Sequence, residues 1–369
     1  MAANYWESTQ RKNWQFSKEQ LASMRQKLED EDQGLVQSFG LPQLPHLNIF
    51  FNQQINRLGK RLGVRQQAMA TAQVYIKRFY TKVEIRRTNP FLVITTALYL
   101  ACKMEECPQH IRLMNQEARS LWTDMQLFQD PSKIGECEFW LISEMSSNLI
   151  VHQPYRTLTG LQSSLGLTQD EMALSWSIIN DHYMTDLPLL YPPHTVALMA
   201  ILLAIVFRPS QNTTQAGAAA AAAAQAAAAA AGGGAAAGAA MAQPGMAGIN
   251  AVTAALAQAQ ARQPPTPGGG GAVVGPPGGQ QQQQAGAADG PAGGVSASQS
   301  AALSKEKNER YSKMHRFGLW LAESNIDIEA IVDCTQELIS FYDFQEQYND
   351  KLTREQIVRF IKARGLDKG

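Results

Sequence analysis

The chain has 369 residues, 45% of them apolar, and carries 32 Lys plus Arg against 32 Asp plus Glu. That length allows two or three domains with a sizeable core, and the zero net charge argues against the basic stripe that grips nucleic acid or an anionic membrane surface. The four cysteines (Cys102, Cys107, Cys137 and Cys334) form no C-x-x-C pair, and no His-x-x-x-His accompanies them. No zinc site is therefore expected, and so few thiols suit a reducing compartment.

The N-terminus, MAANYWESTQRK, lacks the apolar run of a secretory signal. Tyr5, Trp6, Trp14 and Phe16 make this segment aromatic-rich. Two readings stay open for them: anchors for a partner, or rings packed on this chain's own core.

From about residue 46 the pattern is helical. Phe51, Ile55, Leu58 and Leu62 recur at helical spacing, as do Met69, Ala72, Ile76 and Phe79. Thr88-Asn89-Pro90 supplies a capping residue followed by proline at a first helical position. The helix it opens, Phe91 to about Glu106, is apolar on nearly every side and is expected at the centre of a bundle. Pro108 lies beyond its end. Further helices are predicted over Ile111 to Trp122 and Ser132 to Asn148, making five.

A second group of five follows. Pro154 to Leu165 comes first, then Thr168 to Tyr183 with a capping box of Thr168 and Glu171. Pro192 to Phe207 is again apolar throughout and too short to cross a bilayer, which needs about 20 residues. From about Gln211 to Leu303 the composition collapses to Ala, Gly, Pro and Gln, with only Arg262 and Asp289 charged. Such a stretch cannot offset its own ordering entropy and is expected to be disordered. Lys305 to Glu323 and Ile326 to Tyr342 complete the group, the last capped by Ser324 or Asn325. No strand-like alternation of useful length occurs.

Enzyme signatures are missing: no H-E-x-x-H, G-x-S-x-G, H-R-D or D-F-G, and six scattered histidines. No catalytic residue, cofactor or metal is expected. KRLGVR (Lys60 to Arg65) and Arg86-Arg87 read as short solvated patches.

Two five-helix units with buried central helices are what tandem cyclin boxes look like. LYLACKMEECP (Leu98 to Pro108) resembles the end of the third helix of a first cyclin box. NLIVHQPYRTL (Asn148 to Leu158) resembles the junction between boxes in transcription-type cyclins. ANYWESTQRKNW, VRQQAMATAQVYIKRFY (Val64 to Tyr80) and NDHYMTDLPLLYPP (Asn180 to Pro193) resemble the cyclin C class in particular. The implied architecture is all-α: an N-terminal segment and helix (1–45), a first box (46–152), and a second box (153–208 and 305–363) interrupted by a low-complexity insertion (209–304).

The resemblance implies a nuclear, non-catalytic subunit that binds and activates the cyclin-dependent kinase of the Mediator kinase module. Such a subunit binds the kinase's active conformer better than the inactive one, and that difference is the activation. It implies kinase contacts at Lys103, Glu106, Glu138, Phe139 and Ile142, with Tyr5, Trp6 and Trp14 adding more. Lys103 would donate to kinase carbonyls and Glu138 would accept from backbone N–H groups. Alternatively Lys103 pairs with Glu106 three residues on, and Glu138 is a solvated face residue. A second implied site, for another Mediator kinase-module subunit, comprises Trp176, Asn180, Asp181, Tyr183 and Asp186. Of these, Asn180 and Asp181 lie off the apolar stripe, while Trp176 and Tyr183 sit on it and could be core. Two other readings remain open: a two-box general transcription factor on promoter DNA, and a cyclin-fold scaffold without a kinase.

Overall fold

The computed structural model describes residues 4–207 and 297–368. Most of the expected insertion, 209–296, lies outside the described residues. Residues 297–304, expected within it, begin a helix instead.

All regular structure among the described residues is helical. A short N-terminal group comprises α1 (Thr9–Asn13), α2 (Lys18–Glu31) and α3 (Gln33–Ser38). The first box follows as α4 (Leu44–Arg61), α5 (Gln66–Phe79), α6 (Pro90–Met104), α7 (Ile111–Leu121) and α8 (Ser132–Glu144). Asn89 caps α6 by accepting from the Phe91 N–H at 3.0 Å, with Pro90 at the first position. Eleven of the fifteen α6 residues are buried, so it runs through the middle of its bundle as its all-round apolarity predicts. The α8 helix stops short of Asn148 because Ser146 and Ser147 turn left-handed, at φ 50° and 57°.

The second box contains α9 (Tyr155–Leu165), α10 (Gln169–His182), the single turn α11 (Leu187–Leu190), and the apolar α12 (Pro193–Val206). After the undescribed segment come α13 (Ala297–Glu323) and α14 (Ile328–Gln345). The capping box of Thr168 and Glu171 opens α10. Asp327 caps α14 in place of Ser324 or Asn325, accepting from the Ala330 N–H at 3.0 Å. No described helix is long and apolar enough to cross a membrane.

One further helix, α15 (Asp350–Arg364), was not foreseen as an element of its own. Its Ile357, Phe360 and Ile361 are buried in the core of the first box, although residues up to 363 were expected in the second. Arg57 binds Asp350 at 3.1 Å, Asn89 donates to the Leu366 carbonyl at 2.8 Å, and Leu127 donates to that of Asp367 at 3.0 Å. The end of the chain thus returns to close the first bundle.

The boxes are joined by shared packing. Ile49, Ala70 and Val74 of α4 and α5 are buried in the second core. The N-terminal group crosses the seam. Gln10 exchanges two bonds with the backbone of His152, and Phe16 donates to the Leu189 carbonyl at 2.8 Å.

Candidate partner-binding face

Lys103 lies in the last turn of α6, where a cation complements the helix dipole. Glu138 lies mid-way along α8, which packs beside α6. Their side chains form an ion pair, and the Lys103 ammonium also sits 4.6 Å above the Tyr99 ring. Lys103 therefore pairs across the bundle with Glu138 rather than with Glu106. Glu138 is mostly enclosed, with its side chain 13% exposed, and is no solvated surface residue. An ammonium has three donors and a carboxylate about four acceptor sites. One mutual contact fixes both groups and leaves each with capacity for a partner.

Large apolar side chains are exposed on the same two helices. Phe139 is 77% exposed, and Met104 and Trp140 are more than a third exposed. Trp140 is braced by an edge contact to Phe79 at 5.1 Å and donates to Glu144 at 3.1 Å. Ile142 is half-buried against the first core, so Phe139 projects outward while Ile142 belongs mainly to the interior. Trp140 and Met104 were missed from the sequence. The signal was there: adjacent Phe139 and Trp140 on one helix point about 100° apart, so a core narrower than that cannot cover both.

The C-terminal turn of α6 leads to a second concavity. Glu106 is exposed and left-handed at φ 53°. Glu105 accepts from Thr71 at 2.6 Å, and Gln153 of the junction donates to the same Thr71 hydroxyl at 2.6 Å. The junction is held further by α5, whose Tyr75 hydroxyl donates to the Leu149 carbonyl at 2.5 Å and whose Arg78 donates to that of Asn148 at 2.7 Å. Beside it opens a groove of about 910 Å³, whose lining includes Tyr5, Trp6, Glu105, His152, Trp176 and His194. The two sets of residues expected at separate sites thus meet: Tyr5 and Trp6 face the same space as Trp176. Trp6 is 54% exposed, between Arg11 and His194. The Tyr5 hydroxyl donates to Gln15 at 2.6 Å, and burial pushes it up to about 12 against the smaller opposing pull of Arg11.

Several expected contact residues are elsewhere. Trp14 is only 3% exposed, packed in the first core beneath the Arg78 guanidinium at 5.2 Å, where no partner reaches it. Asp181 is fully buried and accepts from the Tyr342 hydroxyl at 3.3 Å, which ties α10 to α14. Tyr183 is core. Asp186 is gripped by Arg25 on a different cavity, one that also borders Lys77 and Arg86. Asn180 is half-buried, and its amide oxygen accepts from both Tyr155, at 2.7 Å, and Gln66, at 3.1 Å. Trp176 is half-buried, with its ring 4.4 Å from that of Tyr155. Of the expected docking set, only Trp176 lines the groove.

Among the described residues, no group of three or more His, Cys, Asp or Glu is gathered to hold a metal. The cyclin N-terminal domain family matches residues 46–146, which is the first box almost to its ends. An RNA polymerase II holoenzyme cyclin-like subunit of Chaetomium globosum is 65% identical over the whole of both chains. Proteins described in the same words from Neurospora crassa and Aspergillus oryzae are 62% and 47% identical, again over the whole of both chains.

Proposed function

This chain belongs to the family of RNA polymerase II holoenzyme cyclin-like subunits, and from that premise we propose that it is a non-catalytic activator of a cyclin-dependent serine/threonine kinase. The observation that carries the reading is the Lys103–Glu138 pair, on helices that also expose Phe139, Met104 and Trp140. A fixed charge pair on two helices that also expose large apolar side chains suits a partner that offers both backbone polar groups and an apolar helix face. The kinase helix that carries the glutamate of the catalytic Lys–Glu pair is such a partner. Contact with its inward position alone stabilises the active conformer, and the cyclin need do no chemistry.

The kinase we propose is that of the Mediator kinase module, and the setting is nuclear. A further subunit of that module would dock in the groove edged by Trp176, Tyr5 and Trp6. The neutral charge balance of the chain favours this over a promoter-binding role.

The test is reconstitution of the purified chain with that kinase and a phosphorylation assay, using wild type and the Lys103→Ala/Glu138→Ala double variant. Complex formation and activation by wild type, with loss in a variant that keeps its circular dichroism, support the reading. A wild-type chain that neither binds nor activates the kinase overturns it.

A further inference from the structure

Cys102 and Cys107 flank the end of α6. The Cys107 N–H donates to the Cys102 carbonyl at 2.9 Å, five residues back, across the left-handed Glu106. This is a Schellman-type stop, a turn that folds the residue beyond the helix onto the side chain one turn from its end. Here both of those side chains are thiols, carried by two residues whose backbones are joined by that bond. A disulfide requires Cα atoms about 4.4–6.8 Å apart with converging Cβ atoms, and the turn closed by the 2.9 Å backbone bond is what brings these two residues together. Cys107 is partly exposed, whereas Cys102 is fully buried.

We propose that Cys102 and Cys107 form a reversible disulfide under peroxide, locking the turn that carries Lys103 and Glu106. The exposed thiol reacts first: the Cys107 thiolate attacks hydrogen peroxide, giving the sulfenic acid and hydroxide. The Cys102 thiolate then attacks that sulfur, forming the S–S bond and expelling a second hydroxide. The two protons released by the thiols turn both hydroxides into water, and the two electrons pass from the thiols to the peroxide. Burial pushes the Cys102 thiol up to about 12, with the adjacent Cys107 adding to the rise. Disulfides in reducing compartments are mostly transient and redox-sensing, and here a partly exposed Cys107 borders a core residue, Cys102. Closing the bond draws the sulfurs to about 2.05 Å and tightens the loop that contains Lys103. The consequence for partner binding rests on the proposed kinase contact; the disulfide itself does not.

Trypsin cleaves after Lys103 and Arg112, which places Cys102 in Thr88–Lys103 and Cys107 in Met104–Arg112. The full chain, treated with peroxide, alkylated and digested, is expected to give these two peptides joined, and separate again after thiol reductant. Cys107→Ser should give no linked pair. Cys137 and Cys334, both buried, serve as internal references that stay reduced. Recovery of Cys102 in its alkylated form, with Cys107 either free or carried to the sulfinic acid, overturns the proposal. In a pull-down, oxidised wild type should bind the kinase several-fold more weakly than reduced wild type, with Cys107→Ser unmoved by peroxide. A linked pair without that change removes the coupling to binding, whereas reduced chain that fails to bind kinase removes the functional reading and leaves the disulfide standing.

Discussion

Arg25 of α2 grips Asp186, the residue just before α11, through two parallel bonds of 2.7 and 2.8 Å, so a residue expected to meet a partner instead fastens the N-terminal helix to the second box. Burial pushes the Asp186 carboxyl up, but the Arg25 bonds and nearby Lys77 outweigh it and leave it below its ordinary value. Lys77 is itself buried, hydrogen-bonded to Asn48 at 3.1 Å, and its ammonium is pushed down to about 8 by that burial.

One carboxylate thus bonds Arg25 and acts through space on Lys77, and the two halves of the pair should not be equivalent. Asp186→Ala is expected to cost about 2–3 kcal/mol, because it strands Lys77 as well as Arg25. Arg25→Ala, which removes a partly exposed partner, should cost about 1 kcal/mol. Urea unfolding of the two variants checks the order, and equal costs would show that Lys77 does not rely on Asp186.

His182 is fully buried, bonded through Nδ1 to the Ile179 carbonyl, and pushed down to about 3 by burial, with Lys77 acting in the same direction. A histidine held neutral in the fold but protonated when unfolded stabilises the fold fully above its unfolded value of about 6.5. That contribution falls as pH drops from there toward the folded value. At pH 5 the loss is about 2 kcal/mol, from about 1.5 pH units at about 1.36 kcal/mol each. His182→Gln should flatten the fall between pH 6.5 and 5 in denaturant titrations. An unchanged slope would assign the acid sensitivity to other groups.

Phe360 is buried where α15 meets the first core, with its ring 6.2 Å from Phe39. Phe360→Ala is expected to cost about 3–5 kcal/mol, the usual range for a large aromatic removed from a core. Hydrogen exchange should locate the loosening in α4 and α15 rather than in α12. Loosening confined to α12 and α14 would return the last helix to the second box.

Phe139 stands almost free of the fold, so Phe139→Ala should leave stability within about 0.5 kcal/mol of wild type. If the face is an interface, the same change should weaken kinase binding about tenfold or more, as loss of an aromatic anchor does. Titration of the variant against the kinase decides, and wild-type affinity would remove Phe139 from the contact.

The helices were legible because their signals are local. Asn89-Pro90, the Thr168–Glu171 box and the two all-apolar helices could be read without knowing what they touch, and the helices that carry these signals lie within a few residues of their expected places. The N-terminus of α14 was misplaced because Ser324, Asn325 and Asp327 are all good caps, and only the chain's path selects among them. The α15 helix was missed because its polar content is high and its few apolar residues gain meaning only against another helix.

By itself the sequence determined the helical periodicity and the two buried central helices. Helical period and capping act over a single turn and do not depend on distant neighbours. Only the tertiary structure decided that Trp14, Asp181 and Tyr183 are interior, that Asp186 belongs to Arg25, and that Lys103 turns to Glu138 rather than Glu106. It also decided that the last helix closes the first bundle. Those outcomes depend on which surfaces lie against one another across tens to hundreds of residues. A polar side chain on a helix exit is equally suited to solvent, to a partner or to a buried pair until the opposing surface is in place.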